Sequence, residues 1–365
     1  MLTLRVDKLA KYLSSVYGKD VVIRSVGELG KKKAKPSREL KGFGYGVPYL
    51  IEFVVGREKK SVVLETMRPG GFGHDHFSDR AQVLIWQHSA FNSFPRHVRS
   101  VDVGAFSKDG GLKSVGDCGE FFIVTELVEG QLYHLDLDRM RQERRLTQLD
   151  MDRCQTLSDF IAEVHAVKKT APELYVRRIR DLLGHGEGIM GLTDSYPSGL
   201  EYVSEQDLCE IEKQCVEWRW RIGRRYARRL ARVHGDYHPW NVLFREGVDF
   251  TVLDRSRGEW GEPADDVSAM TINYVFYSLQ TFGRLAEPFE TLFNQFWRNY
   301  LEKTGDEEML RVIQPFYAWR GLVIASPIWY PNLSLDVRRK LFNFIKNVLK
   351  TEQVDLREVN SYIKG

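Results

Sequence analysis

Along the first third of the chain apolar residues come in short blocks, and along the rest they recur every three to four positions. Residues 21–26 (VVIRSV), 48–56 (PYLIEFVVG) and 61–67 (SVVLETM) are rich in β-branched and aromatic residues and are separated by glycine or charged turns, which predicts a strand meander. Residues 99–106 and 120–128 (EFFIVTELV) predict two further strands, and residues 77–92 a helix set among them. At the start of the chain Leu2, Val6, Leu9, Leu13 and Val16 fall at helical spacing with Lys8 and Lys11 between them, the pattern of an amphipathic helix. From Leu135 onward helical patterns dominate, at 154–168, 204–232, 264–283, 285–303, 307–325 and 334–350, broken by one β-rich stretch at 242–254. The pattern predicts an α+β chain with a small sheet-rich domain over 1–128 and a large helical domain over 129–365, the changeover falling near Glu126 to Gly130.

Composition narrows the class without naming it. A chain of 365 residues, 43% hydrophobic and 28% charged, can bury two sizeable cores and is unlike a disordered segment. With 53 Lys and Arg against 50 Asp and Glu, the net charge of +3 is too small to imply a nucleic acid or an anionic membrane as partner. Cys118, Cys154, Cys209 and Cys215 form no C-x-x-C pair, so reduced thiols in a cytoplasmic protein are expected rather than a zinc cluster or disulfides. The opening helix lacks the continuous apolar run of a signal peptide and no later stretch has the ~20 apolar residues of a membrane span, so a soluble protein is expected.

The chemistry concentrates in residues 234–241, H-G-D-Y-H-P-W-N, followed by the apolar runs V-L-F and T-V-L and then Asp254. Two short apolar strands joined by the turn R-E-G-V-D make a hairpin, so Asn241 at one end and Asp254 at the other become neighbours. An amide oxygen and a carboxylate are hard ligands that suit Mg²⁺ bound together with substrate phosphates. Asp236, five residues before Asn241, is then placed to accept a hydroxyl proton beside the metal. The competing reading of H-x-D-x-H is a transition-metal site, for which His74, Asp75 and His76 would be the second cluster.

The spacing D-x-x-x-x-N with an Asp 13 residues later resembles the catalytic loop and metal-binding Asp of protein kinases. The fuller string H-G-D-x-H-P-x-N, with a G-x-P-x-x-D segment downstream at Gly261, Pro263 and Asp266, is more similar to the aminoglycoside phosphotransferase and choline kinase group. The resemblance covers about 35 residues and implies a protein-kinase-like fold of two lobes that uses ATP or GTP and Mg²⁺ to phosphorylate a small-molecule hydroxyl. It implies Asp236 as base, with His234 and His238 in the same catalytic string, Asn241 and Asp254 as Mg²⁺ ligands, and Asp266 as support for the loop.

For the nucleotide the resemblance implies a glycine loop at Gly42, Gly44 and Gly46, with Gly70, Gly71 and Gly73 as the alternative, and a hinge strand presenting the backbone of Glu126 to Val128 to the base. The family's third-strand lysine is missing. Glu65 stands in its register, and the alternatives are Arg68 alone, an inverted pair of Glu65 with Arg80, or Lys59 or Lys60. That departure motivates a rival reading of the chain as a nucleotide-binding pseudokinase acting as a regulatory or scaffold module. Residues 217–232 (EWRWRIGRRYARRLAR), read as a helix, put Arg221, Arg225, Arg228 and Arg232 on one face, the one place a nucleic acid would bind. The loop at 182–197 is a candidate lining of the acceptor pocket, and Glu259, Glu262 and Asp265 would favour a cationic acceptor. Trp297, Trp319, Trp329 and Tyr330 read as core.

Overall fold

A computed structural model of the chain describes residues 5–29, 46, 48–70 and 73–365. It divides into two compact units, Met1–Thr125 and Glu126–Gly365. Gly42 and Gly44 of the expected glycine loop lie outside the described residues, as does Gly71.

The first unit is built on helix α1 (Val6–Tyr17) and the antiparallel strands β1 (Val21–Glu28), β2 (Tyr49–Val55) and β3 (Glu58–Leu64), in the order β1-β2-β3. The alternation of β2 turns Ile51, Phe53 and Val55 inward, where they meet Leu9 and Leu13 of α1 and Val21 of β1. Helix α2 (Phe77–Ser93) and the short pair β4 (Gly104–Phe106) and β5 (Leu112–Ser114) complete the unit.

Two strand expectations fail here. Of residues 99–106 only the last three form a strand, and residues 120–128 form none. Phe122, Ile123, Val124 and Leu127 are 82–92% exposed, because β-branched and aromatic residues make a strand only where a neighbouring strand offers hydrogen bonds and a face to cover. Pairing begins instead at Gln131, just past the left-handed Gly130 (φ 151°).

The second unit carries most of the helices. After β6 (Gln131–Leu132) come α3 (Tyr133–Glu143), α4 (Gln148–Ala166), α5 (Pro172–Gly184), α6 (Ile189–Ser195) and α7 (Glu205–Ile222). The segment at 182–197 is therefore mainly helical rather than a loop. Likewise the expected helix 204–232 stops at Gly223 (φ −22°, ψ −110°) and resumes as a 3-10 turn, Arg224–Arg229, so the arginines do not share one helical face.

Strands β7 (Ala231–Arg232), β8 (Val242–Phe244), β9 (Phe250–Val252) and β10 (Trp260–Gly261) follow. They form two small sheets, β6-β8-β9 and β7-β10. Last come α8 (Ala264–Phe282), α9 (Phe289–Thr304), α10 (Gln314–Ala325), α11 (Leu335–Leu349) and α12 (Val359–Ile363).

Helix α8 is the axis of this unit. It is buried from Ala264 to Leu279 except at Asp265, and α3, α9, α10 and α11 pack around it. A helix buried on nearly every side, its few polar side chains included, sits in the middle of its domain, and that centrality fixes the position of the two acids in its first turn, Asp265 and Asp266. Among the described residues no helix is long and apolar enough to cross a membrane.

Candidate active site

The segment at 234–241 is suspended between two strand pairs. Upstream, β7 pairs with β10 through Arg232 with Trp260 and Ala231 with Gly261, which holds the start of the loop against the start of α8. Downstream, β8 pairs with β9, and the Leu253 N–H donates to the Asn241 carbonyl at 2.8 Å, so the residues flanking the hairpin stay side by side. Asp254 then follows in the left-handed region (φ 52°), which Asp tolerates better than most residues and which costs strain elsewhere in a chain.

Between these anchors the loop is pinned from below by Asp266. Its carboxylate accepts the N–H groups of His234 and Gly235, both at 2.7 Å, and meets Nε2 of His165 at 3.0 Å. Nδ1 of His165 is 2.8 Å from the Tyr300 hydroxyl. Burial alone would raise the Asp266 carboxyl, but His165 and the surrounding donors outweigh it and hold the group below its ordinary value. Gly235 turns at φ 86°, a conformation that suits glycine and aims its N–H at Asp266.

Asp236 is buried, and its two oxygens have different surroundings. Oδ1 accepts from Nη1 of Arg320 at 2.5 Å and lies 4.0 Å from Nη1 of Arg257. Oδ2 accepts from Nδ2 of Asn241 at 3.3 Å and lies 3.5 Å from Nε2 of His238. Burial pushes this carboxyl up, but Arg320, His238 and Arg257 more than reverse it, leaving Asp236 well below the usual carboxylate range and ionised. Its N–H faces Nδ1 of His234 at 3.3 Å, which places the imidazole proton on Nε2. Burial lowers His234 despite the nearby Asp266 and Asp236, so this histidine is neutral.

Asn241 spends its amide nitrogen inward, on the Asp236 carbonyl at 3.0 Å and on Oδ2. Its Oδ1 accepts no hydrogen bond among the described residues, and the exposed Asp254 has no ion-pair partner among them. An outward amide oxygen beside an unneutralised carboxylate is a donor set that fits Mg²⁺. The transition-metal alternative finds no support, since no group of three or more His, Cys, Asp or Glu among the described residues could hold an ion. In the proposed second cluster His76 caps α2 instead, with Asp79 accepting its N–H at 2.7 Å.

The residues expected at the nucleotide lie in the first unit or just past its end. Gly46 comes so close to Thr66 that a Cβ would stand 1.9 Å from the Thr66 carbonyl oxygen. Glu65 and Arg68, expected on the third strand, lie beyond its end at Leu64 and are exposed. Glu65 does not pair with Arg80, whose Nη1 is committed to the carbonyls of His74, Asp75 and His76 at 2.8, 3.1 and 2.9 Å. Glu126 and Val128 lie in the segment without strand structure.

The acids read as attracting a cation are mostly neutralised. Glu262 is buried against Arg229 at 2.7 Å and the Tyr175 hydroxyl at 2.6 Å, and Asp265 meets Arg320 at 2.5 Å. Arg229 also binds Asp306 at 2.8 Å, and Arg228 pairs with Glu308, so part of the arginine run is internal structure.

Sequence reasoning passed over His165, Arg257 and Arg320. Arg257 and Arg320 both lie on the Trp319 ring, at 4.6 and 3.9 Å from its centre, and Glu187 is 3.4 Å from Arg257. Trp319 is buried as expected, but Trp329 is 61% exposed. Tyr330 stands edge-on to Trp240 at 6.2 Å, and burial together with the Asp236 charge pushes its hydroxyl up to about 12.

This frame of loop, hairpin and acidic helix start is that of a phosphotransferase with the protein-kinase-like α+β fold. Residues 110–308, more than half of the chain, match the APH model, the phosphotransferase enzyme family, and the chain belongs to that family. No curated protein sequence matches it. Solved structures similar to it include an amicoumacin kinase in complex with AMP-PNP, Ca²⁺ and Ami (13% identity, 92% of this chain and 91% of that one, TM-score 0.41). Others are a choline kinase from Cryptosporidium parvum (10%, 92% and 89%, 0.34) and a spectinomycin phosphotransferase in complex with ADP and spectinomycin (11%, 98% and 98%, 0.33). At such low similarity the family match, not these likenesses, carries the assignment.

Proposed function

We propose that the chain transfers the γ-phosphate of ATP or GTP to a hydroxyl of a small molecule. The observation that carries this reading is the single frame in which Asp236, Asn241 and Asp254 are held, with Asp266 fixing the loop from below. Asn241 and Asp254 would hold Mg²⁺, which when bound neutralises the phosphate oxygens as charge shifts between them. The chain's own residues do the rest by placement. Asp236 Oδ2 orients the acceptor hydroxyl and receives its proton as the new oxygen–phosphorus bond forms and the bond to the leaving diphosphate breaks. Held below its ordinary range by Arg320, His238 and Arg257, the carboxylate is ionised and free to accept that proton.

On the acceptor side, Trp240 and Tyr330 form an aromatic wall beside Asp236, with His134 stacked on Trp240 at 5.0 Å between ring centres. A small hydroxylated molecule with an apolar face suits it, and the pairing of Glu262 and Asp265 removes two of the three acids that favoured a cation.

Calorimetric titration of the wild type and of Asp254→Ala with ATP and with GTP, each in the presence of Mg²⁺, tests this reading. Binding in the wild type that is Mg²⁺-dependent and lost in Asp254→Ala is expected. A wild type that binds neither nucleotide would overturn this reading, and binding without any turnover of hydroxylated acceptors would favour the nucleotide-binding pseudokinase.

A further inference from the structure

Arg320 is the least expected residue in the site. It comes from α10, 84 residues after Asp236, and its side chain is buried. Its guanidinium forks: Nη1 goes to Asp236 Oδ1 at 2.5 Å, while Nη2 goes to Asp265 Oδ1 at 2.5 Å and to the Gly235 carbonyl at 3.1 Å. The plane rests on the Trp319 ring at 3.9 Å, and Nε has no partner. The two anchored arms and the stacked face restrict rotation, so the rigid fork holds its partner in one orientation.

We propose that Arg320 is a positioning residue for phosphoryl transfer, clamping Oδ1 of Asp236 so that Oδ2 is the oxygen presented to the acceptor hydroxyl. This rests on the reading of Asp236 as proton acceptor. The asymmetry of the carboxylate supports it. Arg320 takes Oδ1 in a short charge-assisted bond, and Oδ2 is left with the longer contacts to Asn241 and His238, on the side where Asn241 would meet the metal.

Asp265 is the second half of the clamp, because it prevents the guanidinium from following Asp236 if that side chain turns. A purely structural role fits less well. Burying a guanidinium with two carboxylates is costly even with Arg257 nearby, and an apolar side chain of the same size would hold α10 against α8 with less desolvation. What the apolar replacement would not do is choose between two oxygens.

The test uses the full chain and MgATP alone, with water as the acceptor. Arg320→Lys keeps the charge and loses the fork. Its hydrolysis rate constant is expected to fall about a hundredfold while the KM for MgATP stays at the wild-type value, since misplacement by about 1 Å costs that much. On an Asp236→Asn background the same substitution should add nothing, because its effect passes through Asp236. A wild-type rate in Arg320→Lys, or a loss that persists undiminished on that background, overturns the proposal.

If Arg320→Lys does not fold, Asp265→Asn loosens the same clamp from its other arm and should show a smaller loss with the same dependence on Asp236. A crystal structure of whichever variant folds separates this proposal from the reading it rests on. An Asp236 carboxylate turned from its wild-type orientation supports the clamp, and an unmoved one overturns it, whether or not the wild type binds MgATP.

Discussion

The two oxygens of Asp236 set the terms at the scale of single residues. One is neutralised by Arg320 and the other is left beside Asn241, so the group is ionised and oriented. Asp236→Asn keeps an oxygen for Arg320 and the same volume, so folding should be little affected while turnover falls by roughly 10²–10⁴-fold, read from initial rates of MgATP consumption. Undiminished turnover would remove Asp236 from the chemistry.

His234 gives a pH prediction with a definite sign. Its folded pKa is lowered by burial, so the unfolded chain binds more protons than the folded one as pH falls through the ordinary histidine value of about 6.5. The stability it contributes is complete above that pH and lost below it. Its share of the melting temperature should therefore drop as pH falls from about 7 to 5, opposed below about pH 6 by Asp265, whose carboxyl burial raises to about 6, and His234→Gln should remove that share. A step unchanged in His234→Gln would assign the dependence to other groups.

The loop residues were legible in the sequence because their relations are local: Asp236, Asn241 and Asp254 lie within one turn and one hairpin. His165 and Arg320 were not, because they arrive from helices 101 residues before Asp266 and 84 residues after Asp236, and nothing near them in sequence marks a lone buried His or Arg as a partner.

Among the elements, the errors and the successes have a common cause. The hairpin β8–β9 was readable because both of its strands and its turn sit in one stretch, and each strand supplies the other's hydrogen bonds. Residues 120–128 carry an equally strong strand composition and form none, because composition offers an edge without supplying a neighbour. The run 217–232 failed differently. Its charges suggested one solvated helical face, whereas Gly223 divides it and Arg229 turns inward to join Glu262, Asp306 and the loop before α8.

That buried network predicts a stability effect. Arg229→Ala leaves the buried Glu262 with only neutral donors, the Tyr175 hydroxyl and the Ala264 N–H, and Asp306 unpaired, at an expected cost of about 3–5 kcal/mol in urea unfolding. Exposed Arg225→Ala, on the same stretch, should cost about 0.5 kcal/mol or less. Equal losses in the two variants would mean that the internal network contributes nothing special.

For the whole molecule, the α+β character and the sheet-then-helix order were readable from periodicity, since a change from blocks to a three-to-four repeat survives errors in any one element. The cores are unequal. Six buried apolar residues, Leu9, Leu13, Val21, Ile51, Phe53 and Val55, form the centre of the first unit, whereas the second unit is organised around a helix buried along most of its length. Every residue of the larger core lies at or after Tyr133. The second unit therefore has what it needs to fold by itself, and the first has little to spare.

A fragment spanning the second unit, Glu126–Gly365, should keep a cooperative thermal transition and helical circular dichroism, while the first unit alone should melt broadly and at lower temperature. The intact chain should then show two calorimetric transitions, the earlier one small, with MgATP raising whichever unit it contacts. A single sharp transition in the intact chain, with a fragment that is unfolded in isolation, would show that the larger core depends on residues before Glu126, and the catalytic frame would then have to be treated as a property of both units.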